Sequence, residues 1–588
     1  MLKKFFIVIM GSLTAIWISA GLMFFFFFMF IGVIAAMGDK DAQVEVKKHS
    51  VLHVKLEGEL VERPVPNDIW SELYGMGNTS VALSEINGAI RTAANDDKID
   101  CMFLELPGSE GGIAMRSDIV DAIRVFKQSG KKIIAYADSY SQGDYYIASL
   151  ADEVFVNPVG AVDIHGLSSQ NLFFKGAMDK LGVKMQIVKV GTYKSAVEPF
   201  ILTEMSEANR EQTSLYLNNI WSNMTGTIAE ARGTDSETVN QWADSLIMCA
   251  APTFYVDSRI VNSLAYRNEV IDELKTLTEK DKDEKLNLIT PAQYCASVTL
   301  EHQKSEKNKI AVLYAVGEIS DTGNEGIVGP TMVREIEKLI DDDDNAGLVL
   351  RVNSPGGSAF ASEQIWEALQ RYKKTERPLY VSMSDYAASG GYYISCGADK
   401  IYAQPTTITG SIGIFGMIPC VEGLMTNHLG VTTSTVQTNP NATLSLLTPL
   451  NTQQMAKLQQ HVSRGYETFV GRCAAGRGKT VDEIKAIAEG RVWDGSEALK
   501  LGLVDELGNL DDAVQAMADE LGFEKYEVIA YPKLKLSFWE QMEELQEEGV
   551  IRAMVPGSMS EEYRMYQQVK SLTEKPVVQA RMDYVIVR

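Results

Sequence analysis

Cysteine is scarce and scattered: six residues (Cys101, Cys249, Cys295, Cys396, Cys420 and Cys473) in 588, with no C-x-x-C and no Cys/His ligand spacing. Neither a zinc site nor a disulfide framework is signalled, which leaves these side chains as small core residues. Histidine is equally thin, and His49, His53, His165, His302, His428 and His461 all lie outside the serine motifs described below. A Ser-His pair is therefore not signalled, His165 being the one alternative base because it sits beside a repeated glycine. Positive charge is short as well, 55 Lys and Arg against 78 Asp and Glu for a formal net charge of −23. With no Lys/Arg cluster, nucleic acid is not an expected partner. The acidic run Asp341–Asp344 resembles a calcium loop in charge alone and reads as a solvated helix end. No metal and no cofactor are expected.

Long apolar stretches are confined to one place. Lys3 and Lys4 precede an uncharged run from Phe5 to Met37, closed by Asp39, Lys40 and Asp41. About 33 residues at 1.5 Å rise reach roughly 50 Å, enough to span a ~30 Å hydrocarbon core with tilt. A secretory signal has a much shorter apolar region, which favours a retained anchor over a cleaved leader. The paired lysines place the N-terminus in the cytoplasm and everything after Gly38 across the membrane.

From Ser50 onward, strand-like and helix-like segments alternate, the pattern of an α/β fold built on βαβ units. The first half predicts strand Val51–Leu56, helix Ser84–Ala94, strand Met102–Leu106 leading to Gly111-Gly112, helix Ser117–Gln128 and strand Lys132–Ala137. The same order returns as Ile310–Val316, Met332–Ile340, Leu348–Val352 leading to Gly356-Gly357, a helix, and strand Pro378–Met383. Residues Asp138–Gly166 lie over Asp385–Gly413 without a gap, and Asp138, Gly143, Tyr145, Tyr146, Ile147, Ala151, Asp152, Pro158 and Gly166 meet identical residues. The chain is internally duplicated. Its expected divisions are an anchor (1–41), a first repeat (45–274), a charged connection (275–309), a second repeat (310–545) and a tail (546–588).

The two copies differ where chemistry is carried. Ser389 falls at a strand-to-helix turn between Ala388 and Gly390-Gly391, small neighbours that let a substrate backbone approach. Gln142, at the same position of the first copy, cannot be an alkoxide nucleophile. The N–H groups of Gly390 and of the glycine pair Gly356-Gly357 are candidate oxyanion donors. Past the aligned block the first copy reads V-K-V-G-T-Y-K-S (188–195), whereas the second reads V-Q-T-N-P-N-A-T (436–443) and has no lysine. One copy keeps a serine and the other keeps Lys194, so a site drawn from both halves, or from two subunits, would be complete. Lysine serves as a base only when neutral, a form that burial favours, and Tyr193, Ala196, Val197, Pro199 and Phe200 supply apolar surroundings.

The stretches G-T-Y-K-S-A-V-E-P-F (191–200), S-P-G-G-S (354–358), D-Y-A-A-S-G-G-Y-Y-I (385–394), T-G-S-I-G-I-F-G (409–416) and G-R-V-W-D-G-S-E-A-L-K-L-G-L-V-D-E-L-G (490–508) together resemble the signal peptide peptidase A family in its long, duplicated form. The resemblance covers almost everything after the anchor. It implies two tandem ClpP/crotonase-like domains behind one transmembrane helix, a Ser/Lys dyad of Ser389 and Lys194, Ser411 as the residue orienting the lysine, and a bowl-shaped homotetramer. A membrane-bound bacterial protease is implied, held in the inner membrane by residues 5–37, with its catalytic domains on the periplasmic side and signal peptides as substrates. Two other classes remain in view at this level: a crotonase-like enzyme acting on acyl-CoA thioesters, and a catalytically silent membrane scaffold.

Overall fold

The computed structural model describes residues 17, 19, 21–23, 45–64, 80–298, 308–533 and 578–581. Apart from the few residues near position 20 and the strand at 578–581, the expected anchor and tail lie outside the described residues. Among the described residues no helix is long and apolar enough to cross a membrane.

The first repeat runs β1 (Ser50–Val61), β2 (Ser80–Ala82), α1 (Leu83–Ala94), β3 (Ile99–Glu110), α2 (Ile113–Gln128), β4 (Lys132–Ala137), α3 (Gln142–Ala148) and β5 (Glu153–Val156). The strands form a parallel sheet ordered β2-β1-β3-β4-β5. Parallel strands covered on both faces are apolar throughout, as the unbroken burial of Cys101–Leu104 illustrates. Helix α1 buries Leu83, Ile86, Ala89, Ile90 and Ala93, a three-to-four-residue spacing that lays one face on the sheet. Farther along come β6 (Lys184–Val190), α4 (Glu207–Arg232), β7 (Ser263–Leu264), β8 (Asn287–Ile289) and α5 (Pro291–Ser297). Strand β7 pairs with β5. The charged connection packs onto the first repeat: β8 adds to β1 in parallel, and fully buried Tyr294 of α5 joins the first repeat's core. A three-residue strand is too short to show a period in the sequence.

The second repeat comprises β9 (Lys309–Val316), β10 (Ile319–Ser320), β11 (Ile327–Val328), α6 (Gly329–Asp341), β12 (Asn345–Ser354), β13 (Gly356–Ser358), α7 (Ala359–Lys373), β14 (Leu379–Ala388), α8 (Gly390–Ser395), β15 (Lys400–Ala403), β16 (Ile408–Gly410), β17 (Ile414–Cys420), α9 (Thr452–Gly476), β18 (Val492–Asp494), β19 (Glu506–Leu507) and β20 (Glu527–Tyr531). Its main sheet is ordered β18-β16-β14-β12-β9-β20, parallel except where β18 joins β16. A further sheet, β11-β10-β13-β21-β17-β6, takes strands from both halves and holds β21 (Val578–Arg581) between β13 and β17.

The repeats dock through buried polar contacts as well as apolar ones. Arg351 of β12 is wholly buried, its Nε donating to Glu62 (2.9 Å) and its Nη2 to Asp118 (2.7 Å), both in the first repeat. Burial pushes the Asp118 carboxyl up to about 7 against the pull of Arg351. Helix α2 has no capping side chain of its own. Its first N–H groups, at Ala114 and Met115, donate to Asp385 of β14 at 2.9 and 3.1 Å. Gly112 lies so close to Asp385 that an added Cβ would fall 2.0 Å from its carboxyl carbon, so only glycine permits this approach. Burial raises the Asp385 carboxyl to about 6, although the two N–H bonds oppose the shift.

Candidate active site

Strand β14 ends at Ala388, and Ser389 caps α8 at φ 56° and ψ −113°. Few side chains tolerate that left-handed backbone. Here Ser389 N–H donates to Gly410 O (2.8 Å), while Ser389 O accepts from Tyr393 N–H (2.9 Å), and together they hold the turn. Ser411, on the far side of Gly410, has φ 52° and donates its N–H to Arg491 O at 2.7 Å. Two strained serines are thus set side by side by the β14–β16 ladder, in which Ala388 faces Gly410.

The lysine arrives from the other repeat through one strand pairing. Strand β6 runs antiparallel to β17, with Val190 opposite Ile414. Continuing four residues beyond Val190 reaches Lys194, and backing up three from Ile414 reaches Ser411. Lys194 is 1% exposed and Ser389 fully buried. Its Nζ lies 2.8 Å from Ser389 Oγ, 3.0 Å from Ser411 Oγ and 3.1 Å from Ser411 O. The contact forms within a single chain. Two glycines make room for the lysine: a Cβ at Gly490 would sit 2.7 Å from Lys194 Cβ, and one at Gly413 would sit 3.3 Å from Lys194 Cδ.

The glycines named as oxyanion donors border the same place. Gly390 opens α8, while Gly356 and Gly357 form β13 with Ser358. In this state Gly356 N–H donates to Ser354 Oγ at 3.2 Å. Strand β21 runs antiparallel along β13, Gly356 opposite Arg581 and Gly357 opposite Ala580, and its other edge meets β17 at Phe415 and Gly416. An extended chain therefore fits the gap between β13 and β17. Beside β17 lies a cavity of about 880 Å³ whose walls include Phe360, Tyr393, Ile414, Leu444, Leu446 and Leu450.

The equivalent position in the first copy is sealed. Gln142 Oε1 accepts from the N–H groups of His165 and Gly166 (both 2.9 Å), and its Nε2 donates to Gly166 O (3.0 Å). Ile164, the counterpart of Ser411, is buried and apolar. His165 meets Gln142 only through its backbone N–H, its exposed ring lying 2.8 Å from Asp163, whereas the side chain that meets Ser389 Oγ is Lys194. Among the described residues no group of side chains is arranged to hold a metal ion. Two polar residues around Lys194, Gln212 and Arg491, carried no sequence signal of their own, although Arg491 lies in a stretch that marks the resemblance.

A buried serine hydroxyl in hydrogen-bond reach of a buried amine, on an α/β scaffold, defines a serine-hydrolase class of site. The sequence profile of peptidase family S49 matches residues 125–281 and 371–524, one match in each repeat. Protease 4 of Haemophilus influenzae is 37% identical over 83% of this chain and 82% of its own length. Protease 4 of Salmonella typhi is 34% identical over 95% and 90% respectively. An Enterococcus faecium protein provisionally named signal peptide peptidase SppA is 35% identical over 40% of this chain and 69% of its own. This chain belongs to peptidase family S49 and is a serine protease.

Proposed function

We propose that this chain is a membrane-anchored serine endopeptidase that degrades cleaved signal peptides and other apolar peptides, with Ser389 as nucleophile and Lys194 as general base. The observation that carries the reading is the 2.8 Å contact between Lys194 Nζ and Ser389 Oγ, with both residues removed from solvent. Burial disfavours the ammonium form, so the amine is available as a base. A neutral amine that directs N–H bonds at Ser411 Oγ and Ser411 O presents its lone pair to the Ser389 hydroxyl. Ser411 thereby orients the base.

The chemistry proceeds in two halves. Lys194 takes the Ser389 proton as Oγ attacks the scissile carbonyl, and the resulting oxyanion is met by N–H groups of Gly390 and of Gly356 or Gly357. For Gly356 this requires releasing Ser354 Oγ. The protonated Lys194 gives its proton to the departing amine, leaving an acyl group on Ser389. Lys194 then takes a proton from water as its oxygen attacks the acyl carbonyl, and returns that proton to Ser389 Oγ as the C–Oγ bond breaks and the acid leaves.

Each repeat is read as a ClpP/crotonase-like domain, the first (45–274) supplying lysine and the second (310–545) supplying serine. The apolar cavity beside β17 supports apolar substrates. The run 5–37 with Lys3 and Lys4 supports a single-pass anchor that leaves the catalytic repeats outside the cytoplasmic membrane of a bacterium. A homotetramer follows from the family resemblance. The test is to incubate detergent-solubilised full-length protein with a synthetic apolar signal-sequence peptide and with an acyl-CoA thioester, and to follow both by mass spectrometry. Cleavage of the peptide alone, lost in Ser389→Ala, is expected. Equal cleavage by Ser389→Ala, or turnover of the thioester alone, would overturn the reading.

A further inference from the structure

We infer that Gln212 and Arg491 are positioning residues for the reaction, acting on the Lys194 amine through the two residues that flank it; the inference rests on the dyad proposed above. Gln212 lies on α4 and is 2% exposed. Its Nε2 donates to Tyr193 O (3.2 Å) and to Ser195 Oγ (3.3 Å), one residue on each side of Lys194. Its Oε1 accepts from Val492 N–H of β18 at 3.1 Å. One amide therefore ties the lysine's own backbone to a strand of the opposite repeat.

The segment it reaches also holds the serines. Arg491 O accepts from Ser411 N–H, and Gly490 N–H donates to Ile412 O at 2.8 Å. Val492 pairs with Gly410, whose carbonyl fixes Ser389 N–H. From the other side, Glu489 O accepts from Tyr193 N–H at 3.0 Å. The Arg491 guanidinium stands 4.6 Å from the Tyr193 ring centroid and 4.4 Å from that of Trp493, donates to Tyr193 Oη (3.1 Å), and is anchored by Glu211 (2.8 Å). Residues 489–493 are thus a shared template: the lysine turn is pinned along one side and the Gly410–Ile412 turn along the other. The β6–β17 ladder stops at Val190, leaving the distance from Lys194 to Ser389 to this clamp.

Gln212→Glu keeps the acceptor for Val492 N–H and removes the amide donors to Tyr193 O and Ser195 Oγ. Arg491→Met keeps an apolar stem between the rings and removes the charge. With a peptide substrate each should lower kcat by about 10- to 100-fold, the cost of a misplaced base, with KM within about twofold in protein that circular dichroism shows to be folded. The decisive readout is the rate at which a fluorophosphonate labels Ser389, compared in wild-type and Lys194→Ala backgrounds. A residue that acts through Lys194 has nothing left to act on in Lys194→Ala, so adding Gln212→Glu there should cause no further loss. An equal loss in both backgrounds, or wild-type kcat in folded Gln212→Glu and Arg491→Met, overturns the inference while leaving the dyad standing. Wild-type labelling by Lys194→Ala itself removes the dyad instead. Should Arg491→Met fail to fold, Gln212→Glu alone decides.

Discussion

Replacing Asp385 by asparagine should change how stability depends on pH, with little effect at acid pH. Asp385 caps α2 of the first repeat from β14 of the second, and its carboxyl is raised from 3.8 to about 6, chiefly by burial. Glu62 pushes the same way, while Arg351 and the two N–H bonds push back. Because the folded pKa lies above the unfolded value, the folded state holds the proton more tightly, and stability falls as pH rises from about 4 through about 6. A shift of about two units corresponds to about 3 kcal/mol. Asparagine keeps an oxygen for both N–H groups and does not titrate. The two proteins should therefore unfold at similar urea concentrations at pH 4, with the variant gaining up to about 3 kcal/mol over wild type by pH 7. Asp118, raised to about 7, titrates over an overlapping range, so the difference between the two proteins is the informative quantity. If that difference stays flat from pH 4 to 7, Asp385 is not a buried carboxylate that costs stability when it ionises.

Other outcomes follow from the same geometry. Ser411→Ala removes the hydroxyl 3.0 Å from Lys194 Nζ and leaves the Ser411 carbonyl contact, so kcat should fall about tenfold with KM unchanged in steady-state peptide assays. Restoring a serine to the first copy should achieve nothing: Gln142→Ser in a Ser389→Ala background should stay unlabelled by fluorophosphonate, because Ile164 stands where Ser411 would be and no lysine occupies the equivalent of Lys194. Strand β21 lies in the gap between β13 and β17 where an extended peptide would pair. Removing residues 578–588 should lower KM for a peptide substrate at constant kcat, and an unchanged KM would show that the strand does not compete.

What was legible in the sequence was mostly local. Burial along most of strands such as β4 and β12 shows as apolar runs, and the duplication shows because Asp138–Gly166 and Asp385–Gly413 align without a gap. The exchange of Ser389 for Gln142 is visible in that alignment, and the structure brings Ser389 together with Lys194 and Ser411 in one chain. What was not legible is long-range. No local period announces that β6 pairs with β17 of the other repeat, and that pairing delivers the lysine. The cap on α2 comes from Asp385, far along the chain from the Gly112 turn. Gln212 reads as an ordinary polar helix residue until its partners beyond its own helix, Tyr193, Ser195 and Val492, are seen around it. Strand β8 hid in a charged segment because three residues leave no pattern.

The most direct measurement is the rate of Ser389 modification by a fluorophosphonate between pH 6 and pH 10, in wild type and in Lys194→Ala, with folding checked by circular dichroism. Lys194→Ala should react at least about 100-fold more slowly than wild type at the pH where the two differ most. Matching rates and matching pH profiles in the two proteins would contradict a lysine acting as the base for this serine.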